Sequence, residues 1–180
     1  EVSLKDYMRL VLSEGKSSFR RYLVLGAFDG LVVSLSILLA VGNALSVGEV
    51  ISAVTSGLIG VSASSFWNTL VAEGKEKELE LRELERQMLR SLKGTVYEKS
   101  ARLIVWMSSL IHALSPLIGF VNVLVFLAVK NLVISGAVGI ASISALGLVY
   151  EGDLKEKARS VLIMTVAGVV TALLAVTIGH

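Results

Sequence analysis

Asp29 interrupts an otherwise apolar run, Tyr22-Leu-Val-Leu-Gly-Ala-Phe-Asp-Gly-Leu-Val-Val-Ser-Leu-Ser-Ile-Leu-Leu-Ala-Val-Gly42. The run has the length of a membrane span, about 20 residues at about 1.5 Å each. A carboxylate at that depth costs several kcal/mol unless it finds a partner, water or a proton, so an intramembrane acid is a functional candidate by default. Two other polar residues fall near the same level. Asp29 is eight residues from Arg21, His112 is ten from Arg102, and Asn68 is five before Glu73. At about 1.5 Å per residue, Asp29 and His112 both lie roughly 12–15 Å from the charged edge. The three could therefore meet. Imidazole nitrogen with carboxylate oxygen suits Fe(II) or Mn(II), and both groups also carry protons. The plainer reading of His112 is an interhelical hydrogen bond, worth about 0.6 kcal/mol in a membrane.

A second group of acids follows in the stretch Glu73 to Lys93. At about 100° per residue, Glu73, Glu76, Glu80, Glu83 and Gln87 share one arc of a helix, with Leu81, Leu84, Met88 and Leu92 beside it and Lys75, Arg82, Arg86, Arg90 and Lys93 roughly opposite. One reading is a solvated helix laced with ion pairs such as Glu73–Lys77 and Glu78–Arg82. The other starts from the like-charge neighbours Glu76–Glu80 and Glu80–Glu83, each costing about 0.2–0.5 kcal/mol unless neutralised. A row of carboxylates suits a hard divalent cation. Spacing alone leaves both open.

The elements that must position these residues follow from composition. Of 180 residues 54% are hydrophobic and 18% charged, with mean hydropathy +0.75, against about 25% charged in a soluble domain. The expected class is an all-α polytopic membrane protein of one bundle. Its spans cover 22–42, 47–72, 103–128, 132–150 and 160–179, the second continuing as a charged helix to about residue 92. Gly42-Asn43, Gly94-Thr95 and Lys130-Asn131 mark turns, and Pro116 is expected to kink the third span. Sixteen of the seventeen Lys and Arg residues fall on one side, with only Lys130 opposite. This places the N-terminus in the cytoplasm and His180 outside or in a lumen.

Residues 1–21 are expected to form a cytoplasmic amphipathic segment, with Leu4, Met8, Leu12 and Phe19 against the membrane face. They lack the pattern of a cleavable signal. The five-helix domain is expected over 22–180, including a Glu-rich cytoplasmic segment at 73–100. Gly26 and Gly30 form a small-xxx-small pair around Asp29, suited to a close helix contact and to a dimer mate. Gly57/Gly60 and Gly136/Gly139 mark other close approaches. Trp67, Trp106, Tyr22, Tyr97 and Tyr150 are expected in an aromatic belt. Without cysteine, disulfides and thiolate metal sites are excluded. No enzyme signature occurs, and neither a nucleic-acid partner nor a tightly bound cofactor is expected.

Phe28-Asp29-Gly30-Leu31, Gly57-Leu-Ile-Gly-Val-Ser-Ala-Ser64 and the passage into Glu73…Glu76…Glu80…Glu83 resemble the vacuolar iron transporter family, most closely over residues 22–88. The resemblance implies a homodimer that moves Fe2+, often Mn2+, out of the cytosol in exchange for protons. Asp29 would lie in the ion pathway near the dimer interface, and Glu73, Glu76, Glu80 and Glu83 would collect metal. The chain departs from the family in two places. Ser62-Ala63-Ser64-Ser65-Phe66-Trp67-Asn68 stands where the family carries a methionine and a neighbouring acid, and the cytoplasmic segment is short. The expected function is divalent metal transport across what is expected to be the cell membrane. The alternative is a scaffold or metal sensor of the same fold that transports nothing.

Overall fold

The computed structural model describes residues 4–150 and 152–179, and over these the chain is helical, without strands. The elements are α1 (Leu4–Val41), α2 (Val47–Met88), α3 (Val96–Leu114), α4 (Phe120–Val129), α5 (Leu132–Leu146) and α6 (Leu154–Gly179), with 3-10 turns at Ser115–Gly119 and Gly147–Val149. Among the described residues five helical stretches are long and apolar enough to cross a membrane, with α3 and α4 counting as one. The protein is a polytopic membrane protein of five spans. Residues 1–3 of the N-terminal segment, the side chain of Leu4 and the position of His180 lie outside the described residues.

The helix ends have local causes. Ser46 caps α2 with a reciprocal capping box: its hydroxyl accepts from the Glu49 N–H while the Glu49 carboxylate accepts from the Ser46 N–H. Lys130 turns left-handed (φ 52°) and Asn131 caps α5 through the Ile134 N–H. The second span continues without a break through its glutamates but stops at Met88, short of residue 92, because Leu89 adopts the left-handed conformation at φ 50°. Glu85 holds the return, accepting from the Leu92 N–H at 2.7 Å and the Ser91 hydroxyl at 3.1 Å. The Leu92 bond holds its carboxyl below the usual carboxylate range. Its support for this turn is therefore present above the ordinary glutamate pKa and is lost as pH falls through the lowered one.

The N-terminal segment is not a separate helix. Lys16-Ser-Ser-Phe-Arg-Arg21 contains no breaker, so α1 runs through it for 38 residues. Its protein-facing line is Val11, Gly15 and Tyr22, all buried, whereas Met8 and Leu12 are exposed. α1 is the hub of the bundle and touches every other helix. Leu31 and Leu35 pack with Ile143, and Leu38 packs with Val50, Val54, Leu58 and Val123.

Pro116 does more than kink the third span: it sits in a 3-10 turn that divides the span into α3 and α4. That turn lies directly on α1. A Cβ added at Gly30 would overlap the Pro116 carbonyl oxygen, and one added at Gly119 would overlap the carbonyl of Gly30. At Gly26 it would overlap the Ser115 hydroxyl. The glycine pair around Asp29 is thus spent inside the chain, and the expectation that it faces a dimer mate is corrected. Gly57, Gly136 and Gly139 do mark close approaches, to Ile37 and Val33, to Leu39, and to Leu35 respectively, but Gly60 faces open space.

Gly30→Ala should therefore lower the thermal stability of the purified protein sharply, because backbone must move. Gly74→Ala, whose Cβ would meet nothing nearer than Val105 at 4.0 Å, should raise it by about 0.5–1 kcal/mol through helix propensity. Melting curves in one detergent compare them, and a harmless Gly30→Ala would refute the crossing.

Candidate ion-binding site

The crossing of α1 with the 3-10 turn carries the end of α3 onto the face of α1 that bears Asp29. Asp29, Asn68 and His112 consequently line one cavity of about 500 Å3 between α1 and α2. Its other polar lining is Tyr22, Ser64, Ser65 and Thr69, and its apolar wall includes Val32, Val33 and Val61. Ser64 and Asn68 of α2 remain exposed along it, as does Leu25 of α1, so the cavity is a groove on the outside of the bundle.

His112 is 6% exposed. Its Nδ1 lies 2.5 Å from the Thr69 hydroxyl, the interhelical bond that sequence spacing allowed, but its Nε2 is buried without a partner. The Tyr22 ring packs on the imidazole with centroids 5.2 Å apart. Tyr22 is therefore a wall of the site and not a belt residue, unlike Trp67, Trp106, Tyr97 and Tyr150, which are exposed. The signal that could have found it is its position seven residues before Asp29, two helical turns along the same face.

One turn toward the charged end, α1 and α2 are tied by an ion pair. Arg21 Nη2 donates to Glu73 Oε2 at 3.0 Å and to Glu76 Oε2 at 3.3 Å, and Ser18 donates to Glu73 Oε1 at 2.8 Å. The Glu73 side chain is fully buried while that of Arg21 is half exposed. The guanidinium also lies 4.9 Å from the centre of the Tyr22 ring, within cation–π range.

The four glutamates expected to collect metal do not converge. Among the described residues no group of three or more His, Asp or Glu side chains is placed to hold a cation. Glu73 and Glu76 take Arg21, Glu80 takes Lys77 at 2.6 Å, and Glu83 accepts from Gln87 at 3.2 Å. Of the two expected intrahelical pairs, Glu78–Arg82 forms, whereas Lys77 turns to Glu80 because Glu73 is drawn inward by α1. The like-charge cost along the arc is met by protein partners. A stripe on a helical wheel shows which acids share a face but not which cation from another helix reaches it, and for that reason sequence reasoning missed Ser18, Arg21 and Thr69.

The buried carboxylate makes the Arg21–Glu73 pair asymmetric. Arg21→Ala removes the cation that faces the buried Glu73 carboxyl and leaves it hydroxyl partners only, whereas Glu73→Gln keeps an acceptor for Ser18. Arg21→Ala should be the more destabilising of the two, by about 1–3 kcal/mol in detergent melts. Equal losses would mean that Glu73 is held by packing alone.

No family model matches this chain, nor does any curated protein or solved structure. What the site can do is therefore set by its own residues.

Proposed function

We propose that this protein is a divalent metal cation transporter, carrying Fe2+ or Mn2+ in exchange for protons and out of the cytosol. The observation that carries the reading is that Asp29, Asn68 and His112, drawn from three helices, line one cavity at membrane depth. One carboxylate, one imidazole and an amide suit a first-row divalent ion, and hydroxyls and water can complete the shell. Asp29 can hold either the metal or a proton, which gives a route to exchange. The charge asymmetry supports a cytoplasmic N-terminus.

The same groove supports a homodimer, on different grounds from the glycine pair. An open groove with a carboxylate in it would face lipid in a single copy, at a cost of several kcal/mol. A second copy seated on α1 and α2 would cover it and keep it wet. The second reading, a scaffold or sensor without transport, is favoured by one observation: every glutamate of the expected collecting row already has a protein partner.

Proteoliposomes loaded with a dye that reports Mn2+ or Fe2+ separate the two readings. Asp29→Asn should abolish flux with the fold intact, and wild-type flux should follow an imposed pH gradient. Glu76→Gln with Glu80→Gln should weaken capture at low metal and spare flux at high metal. Normal transport by Asp29→Asn, or none by the wild type, would leave the scaffold reading. Since the chain has no cysteine, Ser64→Cys gives a single thiol on the groove, and oxidation in the bilayer should yield a disulfide-linked dimer. A protein that stays monomeric under that treatment has lipid on its groove.

A further inference from the structure

His112 is held at one ring nitrogen and bare at the other. Nδ1 meets the Thr69 hydroxyl at 2.5 Å, whereas Nε2 is buried with no partner. A neutral imidazole carries its proton on one nitrogen only, so two arrangements compete. If Thr69 donates to Nδ1, the proton sits on Nε2 and an N–H is buried with no acceptor. If Nδ1–H donates to Thr69, Nε2 keeps a lone pair that a cation satisfies, and the Thr69 hydroxyl hydrogen, which can rotate, is left to find another acceptor. Orphaned buried N–H groups are the rarer and costlier case.

We propose that Thr69 is a positioning residue that holds His112 as the Nδ1–H tautomer, leaving Nε2 as a nitrogen ligand for a transition-metal dication in the Asp29 cavity. The inference rests on the transport reading above. The ring has little freedom to turn away. Tyr22 packs on it at 5.2 Å, and its Cδ2, the atom bonded to Nε2, comes so near α1 that a Cβ at Gly26 would lie 2.9 Å from it. The Nε2 edge therefore faces the helix that carries Asp29, three residues beyond Gly26. Histidines that bind metals commonly donate their other N–H to an oxygen that fixes the ring. A site with one imidazole and one carboxylate also discriminates. Mn2+, Fe2+ and Co2+ accept nitrogen, whereas Mg2+ and Ca2+ prefer oxygen alone.

The tautomer can be read without any metal. In the purified full-length chain, 15N spectra of the histidines should show His112 protonated at Nδ1, with His112→Gln identifying its signals apart from those of His180. Thr69→Val, of nearly the same shape, should move the proton to Nε2, and Thr69→Ser should restore it. The second measurement is Co2+ binding followed by its visible absorption. Thr69→Val should weaken it about 10–100-fold, Thr69→Ser should bind as the wild type does, and Mg2+ should compete poorly. A wild-type His112 protonated at Nε2, or Co2+ affinity unchanged in Thr69→Val, overturns the role of Thr69 alone. A wild type with the expected tautomer that binds no Co2+ overturns the ligand role together with the transport reading.

Discussion

The contact on which the rest of this bundle depends is the crossing of α1 over the 3-10 turn at Ser115–Gly119. Gly30 of α1 and Gly119 of the turn let backbone lie on backbone, and Gly26 makes room for the Ser115 hydroxyl and the His112 ring. Ser115 adds a hydroxyl bond to the Tyr22 carbonyl at 3.3 Å, tying the turn to α1 one helical turn from Gly26. Because α3 ends at this turn, its last full turn, which carries His112, is delivered to the face of α1 that bears Asp29. A larger residue at Gly30 would separate the helices and, with them, the imidazole and the carboxylate. Close packing and the chemistry of the site are set by the same contact.

A second constraint acts at the charged end. Burying Glu73 costs several kcal/mol for the ion alone, and its partners come from α1: a guanidinium and a hydroxyl. That explains why the N-terminal segment continues α1 and does not lie apart on a membrane face. Ser18 and Arg21 must stay on the inner side of the helix to reach α2, and a bend before Tyr22 would take them away. The pair also borders the groove, since Tyr22 and Ala72, the chain neighbours of Arg21 and Glu73, line it. On the transport reading, a cation approaching from this end would meet two carboxylates already held by an arginine, and it would have to displace that arginine to use them.

Much of this was legible in the sequence, for physical reasons. Five apolar runs of span length give five spans, because lipid leaves no other way to satisfy the backbone. The turns at Gly94 and Asn131 were readable because left-handed and capping positions select few residue types, Gly94 being left-handed and Asn131 capping α5. The meeting of Asp29, Asn68 and His112 was readable as equal depth, a one-dimensional quantity that sequence supplies. Azimuth was not. Which side of α1 carries Gly26 and Gly30 relative to lipid, a mate or α3 depends on how helices rotate about their axes, and hydropathy is nearly uniform around these spans. The same gap hid the partners of the glutamates, since Arg21 and Glu73 are far apart in the chain and approach only when α1 and α2 pack.

If the proposed transport holds, the apolar residues beyond the site would decide how a cation could go further. From Asp29 toward the far end, α1 is packed by Leu31, Leu35 and Ile143, and then by Leu38, Val50, Val54, Leu58 and Val123, all buried. Among the buried polar groups in that half, Asn122 donates its amide N–H groups to the Leu31 carbonyl at 3.1 Å and the Ser34 hydroxyl at 2.8 Å, holding α4 against α1, while its Oδ1 is buried without a partner. No chain of carboxylates leads through it among the described residues. An ion held at Asp29 in this conformation would have a polar wall on one side and close-packed hydrocarbon on the other, which is the arrangement of a site open to one face only. Passage would require the α1–α4 and α1–α5 contacts to part while the glycine crossing holds, because opening the crossing would dismantle the site that holds the ion. On the transport reading proposed above, movement would therefore be confined to the far half of the bundle, with α1 and the 3-10 turn as its fixed element.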